Sequence, residues 1–136
     1  MKKLIVGLLA SFMVAAGLVA FSGTPATAAC PYTACIATTT KATVPARVRP
    51  KRAATITVRV TPARSGNAAV RGSLTVTVKG PRYSKVIRTS YTGAAKRVRT
   101  TRLVRKGRYT VTAKFTPPAN SIYKGSTSRR VTFRVR

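Results

Sequence analysis

The chain has 136 residues and carries 27 Lys and Arg with no Asp, Glu or His, a formal net charge of +27. Without carboxylate or imidazole side chains it cannot assemble a catalytic triad, a carboxylate acid–base pair or an oxygen cage for a hard metal. Two cysteines alone do not complete a zinc site. The expectation is therefore a non-enzyme with no cofactor and no metal. Ordinary domains mix both signs of charge, so the missing acids point to selection against them.

At the amino end, Lys2 and Lys3 precede an apolar stretch over 4–21, followed by Ser22, Gly23, Pro25 and the small-residue pattern Ala26-Thr27-Ala28. This order predicts a helical secretory signal peptide over 1–28, cleaved after Ala28, and hence an exported protein, secreted or held at the cell envelope. An uncleaved anchor is the alternative, although Gly7, Ser11, Ala15, Ala16 and Gly17 make the stretch weakly hydrophobic for a span. A lipid-attached Cys30 fits less well, because Thr27 stands where such signals usually carry Leu. Removing 28 of the 136 residues leaves about 108, the size of one domain. A chain of that size buries roughly two-thirds of the surface it exposes when unfolded, and needs no dense cross-linking.

Residues 29–49 form an amino-terminal segment holding Cys30, Cys35 and a first strand. Export favours a Cys30–Cys35 disulfide, which in a loop this small contributes only about 2 kcal/mol. The run Cys30-Pro31-Tyr32-Thr33-Ala34-Cys35 resembles the Cys-Pro-Tyr-Cys site of glutaredoxins, but its spacing is wrong for that redox chemistry.

Over 50–136 the pattern has period two, which places alternate side chains on opposite faces of a strand. Ile56, Val58 and Val60 point one way, against Thr55, Thr57, Arg59 and Thr61. Leu74, Val76 and Val78 oppose Thr75, Thr77 and Lys79, while Tyr109, Val111, Ala113 and Phe115 oppose Thr110, Thr112 and Lys114. The last strand sets Val131, Phe133 and Val135 against Arg130, Thr132, Arg134 and Arg136. Weaker candidates span 36–48, 84–90 and 96–104, giving about seven strands. Turn signals separate them at 62–67, Gly80-Pro81, Thr92-Gly93, Lys106-Gly107 and 117–120. Short, evenly spaced strands with no helical window between them predict an antiparallel β-sandwich.

The closing third carries Leu103, then Lys106-Gly107-Arg108-Tyr109-Thr110-Val111-Thr112-Ala113, Asn120, Tyr123, Gly125-Ser126-Thr127-Ser128 and Val131-Thr132-Phe133-Arg134-Val135. These residues resemble the last strands of bacterial immunoglobulin-like repeats of exported and surface proteins. The resemblance implies an all-β, immunoglobulin-like sandwich in which Tyr109 forms a structural tyrosine corner. Family members carry acids in their loops; this sequence has none, so loop calcium is not expected.

With these strands, Lys79, Lys114, Arg130, Arg134 and Arg136 fall on the outer face of one sheet, and Arg59, Arg97 and Arg99 on the other. Cations on both faces predict diffuse attraction to anionic polymers such as wall teichoic acid or acidic glycans, by a protein expected to be monomeric. Three alternatives stand beside it: a structural module without a ligand, a non-specific nucleic-acid binder, and a membrane-active protein. Nucleic acid is less favoured because no reading helix or aromatic platform is present, and a membrane role lacks an amphipathic helix.

Overall fold

A computed structural model describes residues 35–65 and 68–136. The expected leader over 1–28 and Cys30 lie outside the described residues. The chain forms β1 (Thr38–Thr43), β2 (Arg47–Val48), β3 (Arg52–Pro62), β4 (Gly72–Gly80), β5 (Tyr83–Tyr91), β6 (Lys96–Leu103), β7 (Gly107–Thr116), β8 (Ser126–Thr127) and β9 (Val131–Val135), with no helix among the described residues. One sheet has the order β1-β3-β6; the other runs β2-β9-β7-β4-β5, with β8 also paired to β7.

The alternation that predicts strands also fills the core. Ile56, Val58 and Val60 of β3 lie buried, with Leu74, Val76 and Val78 of β4, and Tyr109, Val111, Ala113 and Phe115 of β7. Phe133 and Val135 of β9 join them, and Val131 packs at the margin. Each fully buried aliphatic or aromatic side chain contributes about 1.5–3 kcal/mol relative to exposure. The all-β sandwich expected from the sequence is the architecture found.

The expectation of purely antiparallel pairing is corrected. β2 runs parallel to β9, with Arg47 opposite Arg134 and Val48 opposite Val135, and Ile36 makes a parallel bridge to Tyr123. The cause is a change of sheet without a change of direction. β1 leaves its antiparallel partner β3, passes through Val44-Pro45-Ala46, and continues the same way along the far edge of the other sheet. There Ala46 O accepts the Arg134 N–H at 3.0 Å and Val48 O accepts that of Arg136 at 3.1 Å. Proline suits the crossing point, where no ladder needs its missing N–H. The single candidate strand over 36–48 is thus divided between both sheets.

Two hydroxyls explain where the sequence pattern blurs. The β3–β6 register shifts between Ala53 and Thr55, so Val98, Thr100 and Leu103 all face inward although their spacing is not regular. Buried Thr100 accepts the Ala54 N–H at 2.9 Å through its Oγ1 and donates to Thr101 O at 2.8 Å. On the other sheet, pairing along one side of β7 is interrupted between β8 and β9. Ser128 fills the gap: its N–H donates to Ala113 O at 2.7 Å and its Oγ accepts the Ala113 N–H at 2.9 Å. No buried side-chain polar atom lacks a hydrogen-bond partner among the described residues.

Tyr109 organises the end of the core where β4 meets β7. Its ring stacks on Phe133 at 5.4 Å and meets Tyr83 edge-on at 5.8 Å. A Cβ on Gly80 would lie 2.2 Å from that ring, so the strand end accepts no side chain. Replacing Gly80 by Ala is expected to lower stability by about 1–3 kcal/mol, measured by chemical denaturation, because neither backbone nor buried ring has room to move.

Candidate polyanion-binding surface

Of the five cations expected on one face, the three that lie within strands share it, and they form no single cluster. Lys79 on β4, Lys114 on β7 and Arg134 on β9 project outward and are exposed. Arg130 and Arg136 are also exposed and flank β9 rather than lying within it. Lys79 stands opposite Thr110 and Ser84, whereas Lys114 stands opposite Thr75 and Thr127. Four residues of β7 therefore separate the two lysines, about 13 Å along the strand. A field of Thr and Ser side chains lies between them.

The same face holds cations that sequence reasoning missed. Arg108 pairs directly with Arg134, which also pairs with Arg47, so three arginines cross β7, β9 and β2 in one row. Arg88 stands on β5 opposite Thr75. The signal for Arg108 was present, since it continues the parity of Thr110, Thr112 and Lys114. Arg47 gave no such signal, because its place depends on the crossing at Pro45.

On the opposite sheet, Arg59 pairs with Lys41, and Arg97 and Arg99 stand opposite Thr57 and Thr55. All are exposed. Of the 25 Lys and Arg among the described residues, every one is exposed except Lys96, which is half-buried. Directly opposed like charges such as Lys41 with Arg59 and Arg108 with Arg134 disfavour the folded state. No acidic side chain exists to offset them.

Some of these charges guard the sheet edges. β5 ends the larger sheet and β6 ends the smaller one. Lys85 on β5 lies on the inward parity yet is exposed, and β6 carries Arg97, Arg99 and Arg102. Charged edges oppose strand addition by another chain.

Tyr109 lies in the core, not on the surface, and donates a hydrogen bond to Arg105 O at 2.9 Å. Burial raises its pKa above the ordinary 10.0, nearby Tyr83 raises it further, and Arg105 opposes both. Cys35 is half-buried just ahead of the Ile36 bridge, while its expected partner Cys30 lies outside the described residues. No family model, curated protein or solved structure matches this chain.

Three outcomes follow from these electrostatics. Raising NaCl from 10 to about 150 mM should shorten the Debye length from roughly 30 to 8 Å and raise Tm by about 5 °C, the response of a domain this size to about 1 kcal/mol. Because acid unfolding acts through carboxylates and buried histidines, Tm should stay level from about pH 3 to 7 at fixed salt, apart from terminal groups. Tyr109→Phe should cost about 1 kcal/mol at neutral pH through the lost hydrogen bond. A raised folded-state pKa means that the contribution of the phenol is complete below about pH 10 and fades above it. The stability gap between native protein and Tyr109→Phe should accordingly narrow in alkali, as read by urea titration at pH 8 and 11.

Proposed function

We propose that this chain is a non-catalytic, exported, immunoglobulin-like domain that associates through charge with anionic polymers of the cell envelope, such as wall teichoic acid or acidic glycans. The observation that carries the reading is a surface of exposed cations on both sheets, in a sequence without one acidic side chain. Such a surface concentrates polyanions through its summed field, and arginine adds bidentate hydrogen bonds to phosphate or carboxylate oxygens.

Two features support the immunoglobulin-like part. The order β1-β3-β6 in one sheet and β9-β7-β4 in the other follows that of strands A-B-E and G-F-C in that fold, with β2 and β5 added at the edges of the second sheet and no described strand beside β6 in the place of D. The Tyr109 hydroxyl reaches back four residues to the Arg105 carbonyl near the start of β7, as a tyrosine corner does at strand F. A Cys30–Cys35 disulfide would tether the amino end beside Ile36, whose backbone bonds Ile122 and Lys124.

A structural module without a ligand is the second reading, favoured by the cations on β5 and β6 that protect sheet edges whether or not anything binds. Washing intact producing cells with rising NaCl separates the two. Electrostatic attachment predicts release at moderate salt without detergent, with steep dependence on salt concentration. Free accumulation in the medium at low salt would remove the binding reading, and retention until detergent is added would replace it with a membrane anchor.

A further inference from the structure

Although both sheet faces are basic, charge density differs sharply between the two ends of the sandwich. The register places the finish of β4, the start of β5, the start of β7 and the finish of β9 at one end, with Gly80 opposite Tyr83 and Gly107 opposite Val135. The start of β3 and the finish of β6 lie at the same end, joined as Arg52 opposite Leu103. Three short turns close this end, over 49–51, 81–82 and 104–106. Of their eight residues five are cations: Arg49, Lys51, Arg82, Arg105 and Lys106. At the other end, the described connecting residues 63–65, 68–71, 92–95 and 117–125 number 20 and hold only three cations, Arg64, Arg71 and Lys124.

Two of the five also occupy a backbone conformation that their side chains disfavour. Lys51 has φ of 61° and Arg82 has φ of 52°, and among the described residues no other non-glycine has a positive φ. Each follows a proline, as Pro50-Lys51 and Pro81-Arg82, and the first turn is closed by the Arg52 N–H bonding Arg49 O at 3.3 Å. Proline at the second position and a positive φ at the third is the pattern of a type II turn, which favours Gly or Asn at the third. A long cation there is strained and stands at the tip of the turn, exposed. The same departure occurs twice, at the end whose turns are richest in cations. Strain retained in this way points to a role in binding rather than in folding.

We infer that this turn-bearing end is the docking site for the polyanion, and that its ligand is a flexible polymer with repeated oxyanion groups, phosphate or carboxylate. The inference rests on the charge-binding reading above and assigns it a place. From the turns, the row Arg108, Arg134 and Arg47 carries the cationic path onto the outer face of the larger sheet, spanning about 10 Å across three strands. A flexible chain can follow a path that passes from turn tips to a sheet face, meeting Lys51 and Lys106 as point charges and the arginines as planar forks.

The test compares two four-charge variants of the exported chain. The first, K51G/R82G/R105Q/K106Q, neutralises the turns; the second, R64Q/R71Q/K124Q/R129Q, removes equal charge elsewhere. Binding to inorganic polyphosphate of defined length, and separately to polygalacturonate, is measured by titration between 50 and about 300 mM NaCl, which separates phosphate from carboxylate preference. The turn variant should lose at least tenfold affinity at about 150 mM salt, and its slope of log K against log salt should fall by about 3, near 0.7 for each lost contact. The second variant should change that slope by less than about 1. Equal losses from both variants would overturn the assigned end while leaving diffuse charge binding intact. Absence of binding by the unaltered protein at 50 mM salt would remove both. Independently, K51G/R82G should raise Tm by relieving the left-handed strain while weakening binding; a lowered Tm would overturn the strain argument.

Discussion

Uncompensated positive charge is the constraint on which the rest of this structure depends. A buried Lys or Arg needs a partner, and no acidic side chain is available to provide one. Every cation must therefore reach water, and the alternation of β-strands does this without loss of packing. β3, β4, β7 and β9 each send apolar side chains inward and Thr, Lys or Arg outward. The result is a core made almost entirely of Val, Leu, Ile and aromatic rings, surrounded by charges of one sign.

Polar duties that acids often perform fall here to hydroxyls. Thr100 and Ser128 serve the backbone where ladders break. Ser126 Oγ lies 2.8 Å from the Thr38 hydroxyl and 2.7 Å from that of Thr40, joining β1 to β8 across the two sheets. Tyr91 accepts the Val60 N–H at 3.0 Å, and the Tyr123 hydroxyl donates to Ala68 O. These bonds join hydroxyls to one another or to backbone groups, so the internal network uses none of the surface cations. Cohesion from the core and repulsion at the surface are thereby separated in space.

That separation leaves the surface available for binding. Outward Lys and Arg touch solvent from both sheets and crowd most densely at the turns joining β2 to β3, β4 to β5 and β6 to β7. In the proposed reading, a ligand carrying the opposite charge in repeated units would supply what the chain lacks, and its binding to the folded form would stabilise it by mass action.

The amino-acid order alone determined the strand periodicity, the inward set from Ile56 to Val135, and the outward set containing Lys79, Lys114 and Arg134. All of these follow from a repeat of two acting within a single strand. It also determined the absence of Asp, Glu and His, a matter of composition. The parallel pairing of Arg47 with Arg134, the irregular inward positions around Thr100, and the bridging role of Ser128 were decided by tertiary structure. Each depends on which strand lies alongside, and no local pattern encodes that. Charge crowding at one end has the same origin: Arg49, Lys51, Arg82, Arg105 and Lys106 are scattered along the sequence, and only strand direction and register bring their turns together.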